Sequence, residues 1–463
     1  MKTRITILLL ALFVSVNIGF AQDDNQEECM NNLSIFNSYY KSKKYDEAYG
    51  PWKIVREKCP EFNQAIYAYG DNILEHKIKN STGAEQLAHI NDLMLLFDQS
   101  HQYFASKYSL GDMLVEKAQL AYKYRKELNK SDVQLYNMYD DAYKKDPENF
   151  TSAQGLYTYF SLAVDLYDAG QKTPEDAQKL FDKYDDVVVM IENVEESYIE
   201  KLNKLVEKEE AGTELSKKEL KYKDNYEANL EAFETVASSM DKKLGDRANC
   251  EVLIPLYQKD FEEYKNDAVW LQRAMNKMGQ KDCTDDPMFE KLVAQKNTIE
   301  PDTSFYLGVL KEKQGKMSEA DKYYSQSFDL ETDPLKKWKL VMRVAEKNYK
   351  RGNYGKARQQ YMEALKLNPS NGGPYLRIAA MYAKSANNCG DTNFNKRAVF
   401  WLAALEAEKA GRVDGRLRSA AAQSATSYRA SAPSKADIFQ AGNKGEVIKI
   451  GCWIQRSVTV PNL

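Results

Sequence analysis

PDTSFYLGVLKEKQGKMSEADKYYSQSFDL (residues 301–330), PLKKWKLVMRVAEKNYKRGNYGKARQQYMEALKL (334–367) and GPYLRIAAMYAK (373–384) state one pattern two and a half times. In the first copy Ser304, Leu307, Gly308 and Lys311 precede Ala320 and Tyr324. In the second, Val341, Val344, Ala345 and Asn348 precede Ala357, Tyr361 and Pro369, and a third begins with Tyr375, Ile378, Ala379 and Tyr382. Spacings of three and four put such residues on one helical face. Gly315 and Gly352 fall between the two stretches of a copy, where a left-handed residue ends a helix at little cost. Leu307 to Ala320 and Val344 to Ala357 are both 13 residues, and Val341 to Tyr375 is 34. Ser304 to Val341 is 37, with the excess around Asp333–Pro334. Any amphipathic bundle shows apolar residues at i, i+3 and i+4, but a register held across copies argues for an array of helical hairpins.

This register is similar to that of the tetratricopeptide repeat (TPR): bulky-x2-Leu-Gly-x2-Tyr on a first helix, Ala-x3-aromatic on a second, then a closing Pro. One hairpin cannot bury its apolar face alone, so at least about three must stack. Further copies exist. Asn32, Ile35, Phe36 and Tyr39 precede Ala48, Trp52 and Pro60, with Ile35 to Ala48 again 13 residues. Ile66, Tyr69, Gly70 and Ile73 follow, their second helix displaced to about 84–103. A weaker copy spans Gln119, Tyr122, Leu135, Tyr139 and Pro147, and Ala153, Leu156, Tyr157 and Phe160 open its successor. A degenerate one runs from Val252, Pro255 and Leu256 to Ala268, where Pro255 is expected to kink or delay the first helix. Ile35, Leu307 and Val344 are expected to point inward.

Residues 174–244 depart from the repeat. Thr173-Pro174-Glu175-Asp176 starts a helix with a cap, a first-turn proline and two acids at the positive end of the helix. Leu180, Tyr184, Val187, Ile191, Val194 and Tyr198 then alternate in steps of four and three. Ser216 and Glu219 form a capping box before Tyr226, Leu230, Phe233, Ala237, Met240 and Leu244. A long antiparallel helical hairpin follows, either projecting as an arm or lying along the array. Ala398–Ala410 supplies the last second helix, 416–430 an Ala-rich one, and Glu446–Val460 is β-branched and alternating, a small extended cap. The fold class is therefore all-α, a TPR-type α-solenoid. The expected division is 1–21, 22–173 (N-terminal repeats), 174–244 (the inserted hairpin), 245–436 (C-terminal repeats) and 437–463 (the cap).

Residues 1–21 read as a secretory signal, with Lys2 and Arg4, an apolar run Ile5–Val16, and Gly19-Phe20-Ala21 as cleavage site. That run is too short for a membrane span. No cysteine follows Ala21 and Cys29 lies too far in, so no lipid anchor is expected; the mature chain is placed in the periplasm or at the outer membrane. With 29% charged and 43% hydrophobic residues and 12 Pro, it is globular rather than disordered. The net charge of −3, or −5 without Lys2 and Arg4, leaves no basic footprint for nucleic acid. Six cysteines in a secreted chain imply three disulfides, with fifteen connectivities open. The TPR register, in which a first helix starts beside the end of its second, implies Cys29–Cys59 and Cys250–Cys283, leaving Cys389–Cys452.

No catalytic constellation stands out. His76, His89 and His101 lie in no metal or nucleophile motif; no C-x2-C, phosphate-binding loop or G-x-S-x-G is present, and no cofactor is expected. The signal segment, Cys283-Thr284-Asp285 and Gly451-Cys452-Trp453-Ile454 with Thr459-Val460 together resemble secreted TPR proteins of Gram-negative envelopes. That resemblance implies location and fold alone. TPR proteins hold extended peptides in a groove lined by first helices, so a protein or peptide partner in the cell envelope is expected. The groove candidates, off the core positions, are Phe305, Met342, Glu346, Tyr349, Lys350, Leu376 and Lys384. The TPR device that clamps a C-terminal carboxylate needs Lys and Asn where this chain has Phe305, Val309, Arg343, Gly373 and Arg377; only Arg377 fits. The alternative reading is a glycan- or peptidoglycan-binding module with groove aromatics as stacking platforms.

Overall fold

A computed structural model describes residues 25–296 and 298–462; the expected signal segment 1–21 lies outside them. The chain divides between Met190 and Ile191 into two compact units. In the first, helices pair in sequence: α1 (25–41) with α2 (Tyr45–Lys58), α3 (Ala65–Lys79) with α4 (Gly83–Phe104), and α5 (Leu110–Lys123) with α6 (Asp132–Lys145). Then come α7 (Ala153–Ala169) and the start of α8 (Pro174–Glu210). Starts are written in the sequence: Ser109, Ser131 and Ser152 each accept a hydrogen bond from the amide three residues on, and Thr173 does so from Asp176.

The second unit holds the rest of α8 and α9 (Lys217–Leu244), then α10 (Cys250–Tyr264), α11 (Ala268–Gln280), α12 (Pro287–Lys296), α13 (Pro301–Lys313) and α14 (Met317–Leu330). These are followed by α15 (Pro334–Lys350), α16 (Tyr354–Leu367), α17 (Gly373–Ser385), α18 (Asn393–Val413), α19 (Arg418–Ser431) and α20 (Lys435–Ala441). An antiparallel hairpin of β1 (Val447–Ile450) and β2 (Arg456–Thr459) ends it, Ile448 opposite Val458. α12 and α20 have no counterpart in the sequence reading. Met288, Phe289, Leu292 and Val293 of α12 are all buried, an i, i+1, i+4, i+5 face that would have shown it.

The repeat core forms as its register requires. Ala320, Tyr324, Val341, Val344, Ala345, Ala357 and Tyr361 are buried. At Gly308 an added Cβ would stand 2.6 Å from the Tyr324 ring, so two helices cross where only glycine fits. Gly315 (φ 72°) and Gly352 (φ 79°) take the left-handed turn. Two positions differ from expectation. Leu307 is half-buried, and Ile35 is 44% exposed while Phe36, about 100° further round α1, is fully buried against the next helices. The larger ring takes the inward position. α10 begins at Cys250, five residues ahead of Pro255, so the proline does not delay it.

α8 and α9 are the long hairpin, joined by the Ser216–Glu219 capping box. Within the second unit it does not project: it lies along the helix starts of the repeats. Lys339 meets Glu192 at 2.6 Å, the Ser370 amide donates to Asn203 at 3.1 Å, and the Gly415 amide donates to Glu227 at 3.0 Å. Arg416, gripping Asp414 through two 2.9 Å hydrogen bonds, also pairs with Glu234. Cys29–Cys59, Cys250–Cys283 and Cys389–Cys452 are all bonded, as the repeat register implied, and such bonds belong to an oxidising compartment. No described helix is long and apolar enough to cross a membrane.

Candidate functional site

Helices α15 and α17 are the first helices of adjoining hairpins, and they bring together three of the expected groove residues. Arg377 donates from Nε to Glu346 at 2.7 Å, and the Tyr361 hydroxyl donates to the same carboxylate at 2.7 Å. Lys384 donates to the Tyr349 hydroxyl at 2.9 Å with its ammonium 4.8 Å from the ring centre, and the Arg377 guanidinium lies 5.2 Å over that ring. The hydrogen bond to Tyr349 raises the Lys384 pKa. Met342 and Leu376 are half-buried against the hairpin core, and Lys350 is exposed. Phe305 requires a correction: it is 5% exposed, wedged against Tyr306 and Tyr324 beneath Arg343, and offers no surface to a partner.

The same face carries Trp453, which the sequence marked only for the resemblance and not as a groove residue. Trp453, next to the Cys389–Cys452 bond, donates to Ser385 Oγ at 3.0 Å and packs at a tilt against the rings of Tyr354 and Tyr382. Arg358 lies 5.4 Å over its ring and donates to the Ile454 carbonyl. The cap therefore covers part of the last two hairpins.

In the first unit the hairpins enclose an open cavity of about 860 Å³. α3 contributes Asp71 and Glu75, α5 contributes Asp112 and Glu116, α4 an apolar wall of Leu93, Leu96 and Phe97, and Tyr67, Tyr108 and Tyr122 line it as well. Burial opposes the charge of Glu75, but Lys123 at 3.0 Å and Lys79 at 3.2 Å more than offset it, and its pKa falls. Asp112 accepts from Ser109 at 2.7 Å at the helix start. Burial pushes Asp71 up despite its hydrogen bonds from Asn72. Glu116 is exposed by area because the cavity is open, yet protein surrounds it closely: burial, then Asp71, Asp112 and Glu75, push it up. Tyr139, also at this cavity, is fully buried, and its hydroxyl lies beside Thr158 of α7.

A smaller cavity of about 330 Å³ lies in the second unit where α8 and α9 meet the repeats, lined by Glu195, Trp338, Lys339, Asn371 and Arg416 among others. Burial pushes Glu195 up to about 7. Elsewhere His76 faces Asp46 at 3.1 Å, His101 Nδ1 lies 2.8 Å from the Tyr108 carbonyl, and His89 packs edge-on to Tyr49. Among the described residues no group of three or more His, Cys, Asp or Glu is placed to hold a metal ion.

No known family's sequence profile matches the chain, and no curated protein matches it. Solved structures similar to it include a tetratricopeptide repeat protein from Parabacteroides merdae, 11% identical, covering 68% of this chain and 97% of that one with a TM-score of 0.24. The TPR domain of P58(IPK) is 12% identical over 87% of this chain and 98% of its own, with a TM-score of 0.21. A monomeric IFIT1 mutant with Gppp-AAAA is 12% identical over 87% and 89%, with a TM-score of 0.26. These neighbours are TPR proteins, and at such scores they add nothing to what the helix pairing itself shows.

Proposed function

We propose that this chain is a non-enzymatic scaffold outside the cytoplasm that holds segments of protein partners against the first helices of its hairpins. The observation that carries this reading is the cavity of the first unit. First helices α3, α5 and α7 turn polar and aromatic side chains into one open space of about 860 Å³, and second helix α4 closes it with an apolar wall. Its size falls within the range of ligand-binding cavities. Three bonded disulfides support the location. The Glu346–Tyr349–Lys384 cluster is a second proposed contact surface, flanked by the cap.

The test is photocrosslinking in living cells with a photoreactive residue replacing Met113 in the first unit or Tyr349 in the second, and Lys366 as an exposed control. A protein product recovered reproducibly from Met113 or Tyr349, and absent from Lys366, is expected. Recovery of none from either position would count against the scaffold reading. The tyrosines of the cavity also favour a second reading, glycan capture by ring stacking; pull-down with cell-wall material separates the two.

A further inference from the structure

The cavity of the first unit holds more negative charge than the protein itself neutralises. Lys123 is committed to Glu75 and Lys117 to Asp98 at 2.6 Å. Asp112 is shared with the start of α5. Among the described residues Asp71 accepts only from its neighbour Asn72, and no cation or donor contacts Glu116. Two acids thus face the same space from successive first helices, each making the charge of the other more costly. Beside them stand the apolar wall of α4 and the ring of Tyr108.

A basic side chain matches each part of this lining. Its aliphatic stem covers apolar surface while its head stays polar, its charge answers the two carboxylates, and a guanidinium stacks on tyrosine rings. A neutral sugar would leave the repulsion between Asp71 and Glu116 in place. We infer that this cavity receives an arginine or lysine side chain of an extended protein segment, with Asp71 and Glu116 as its counter-charges. The inference rests on the reading that the hairpins hold protein segments, and the volume leaves room for the residues flanking the basic one.

The test uses the full mature chain and four probes: a fluorescent heptapeptide Gly-Ala-Arg-Ala-Arg-Ala-Gly, its citrulline and glutamate counterparts, and chitohexaose. Fluorescence polarisation is expected to show the arginine peptide bound roughly tenfold or more tighter than the citrulline peptide, the discrimination a desolvated charge pair supplies. The double variant Asp71→Asn, Glu116→Gln should bring the arginine peptide down to the citrulline level. It removes a repulsion, so a thermal melt at or above that of the parent shows it folded. Equal binding of arginine and citrulline peptides would overturn the cationic preference while leaving segment binding intact. Chitohexaose binding with no peptide binding would sink both readings. Binding of no probe, or full arginine-peptide binding by the double variant, would overturn the inference.

Discussion

Glu195 sits where α8 passes Trp338 and Lys339, and its carboxyl titrates near 7 in the folded chain against 4.5 ordinarily. The stability this group contributes is fully present below about pH 4.5 and is lost as pH rises through 7, because the folded state must then bury a charge. Glu195→Gln should therefore leave the unfolding free energy almost unchanged at pH 5 and raise it at pH 8, by an amount on the order of 1–3 kcal/mol. A variant-minus-parent difference that is flat with pH would refute this. Gly308→Ala is expected to cost about 1–3 kcal/mol in a urea melt, since its Cβ would press on the Tyr324 ring, which a hydrogen bond to Glu312 holds in place. An unchanged midpoint would mean that α13 and α14 can separate freely. Gly308 was legible in the sequence because its spacing to Ala320 recurs as Ala345 to Ala357. The inward side of α1 was not, because Ile35 and Phe36 are both apolar and only packing selects the ring. Phe305 was misplaced for the same reason: four buried residues in succession, Thr303 to Tyr306, leave no polar face to mark.

At the scale of elements, helix pairs with a repeated register were readable, and so were the starts of α8 and α9, from caps alone. The resting place of the long hairpin was not. Its contacts with the repeats include polar pairs between residues 147, 167 and 188 positions apart, and no periodicity encodes those. Gly415 is the sharpest of them, for any Cβ there would overlap the Glu227 carboxylate. Gly415→Ala is expected to push the Glu227 carboxylate aside and weaken its hydrogen bond from the residue-415 amide, loosening α9 from the repeats at a cost of about 1 kcal/mol. It should also hasten proteolytic cleavage near 211–216. If cleavage and urea midpoint both stay at parental values, the hairpin owes its position to something other than this contact. The acidic cavity escaped the sequence for a related reason. Asp71 and Glu116 are 45 residues apart, and the chain has 68 acids, so nothing marked the two that the fold brings into one space.

For the whole molecule, the disulfides and the repeats make a joint demand on how stability is distributed. Each bond closes a short loop, of 30, 33 and 63 residues, and none spans the array. On the chain-entropy account they contribute about 3.7 kcal/mol for each of the two shorter loops and about 4.3 for the longest. In a stacked array each hairpin leans only on its neighbours, so losing a bond should loosen its own repeat and fade with distance. Hydrogen exchange of the reduced chain is expected to lose most protection in 25–58, 250–283 and 447–459. Helices α13 to α16, which carry no bond, should keep theirs. The pair Cys29→Ala and Cys59→Ala should reproduce the first of these losses alone. A uniform fall in protection along all described helices would show one cooperative body instead, in which local sulfur links act globally and the nearest-neighbour picture does not apply.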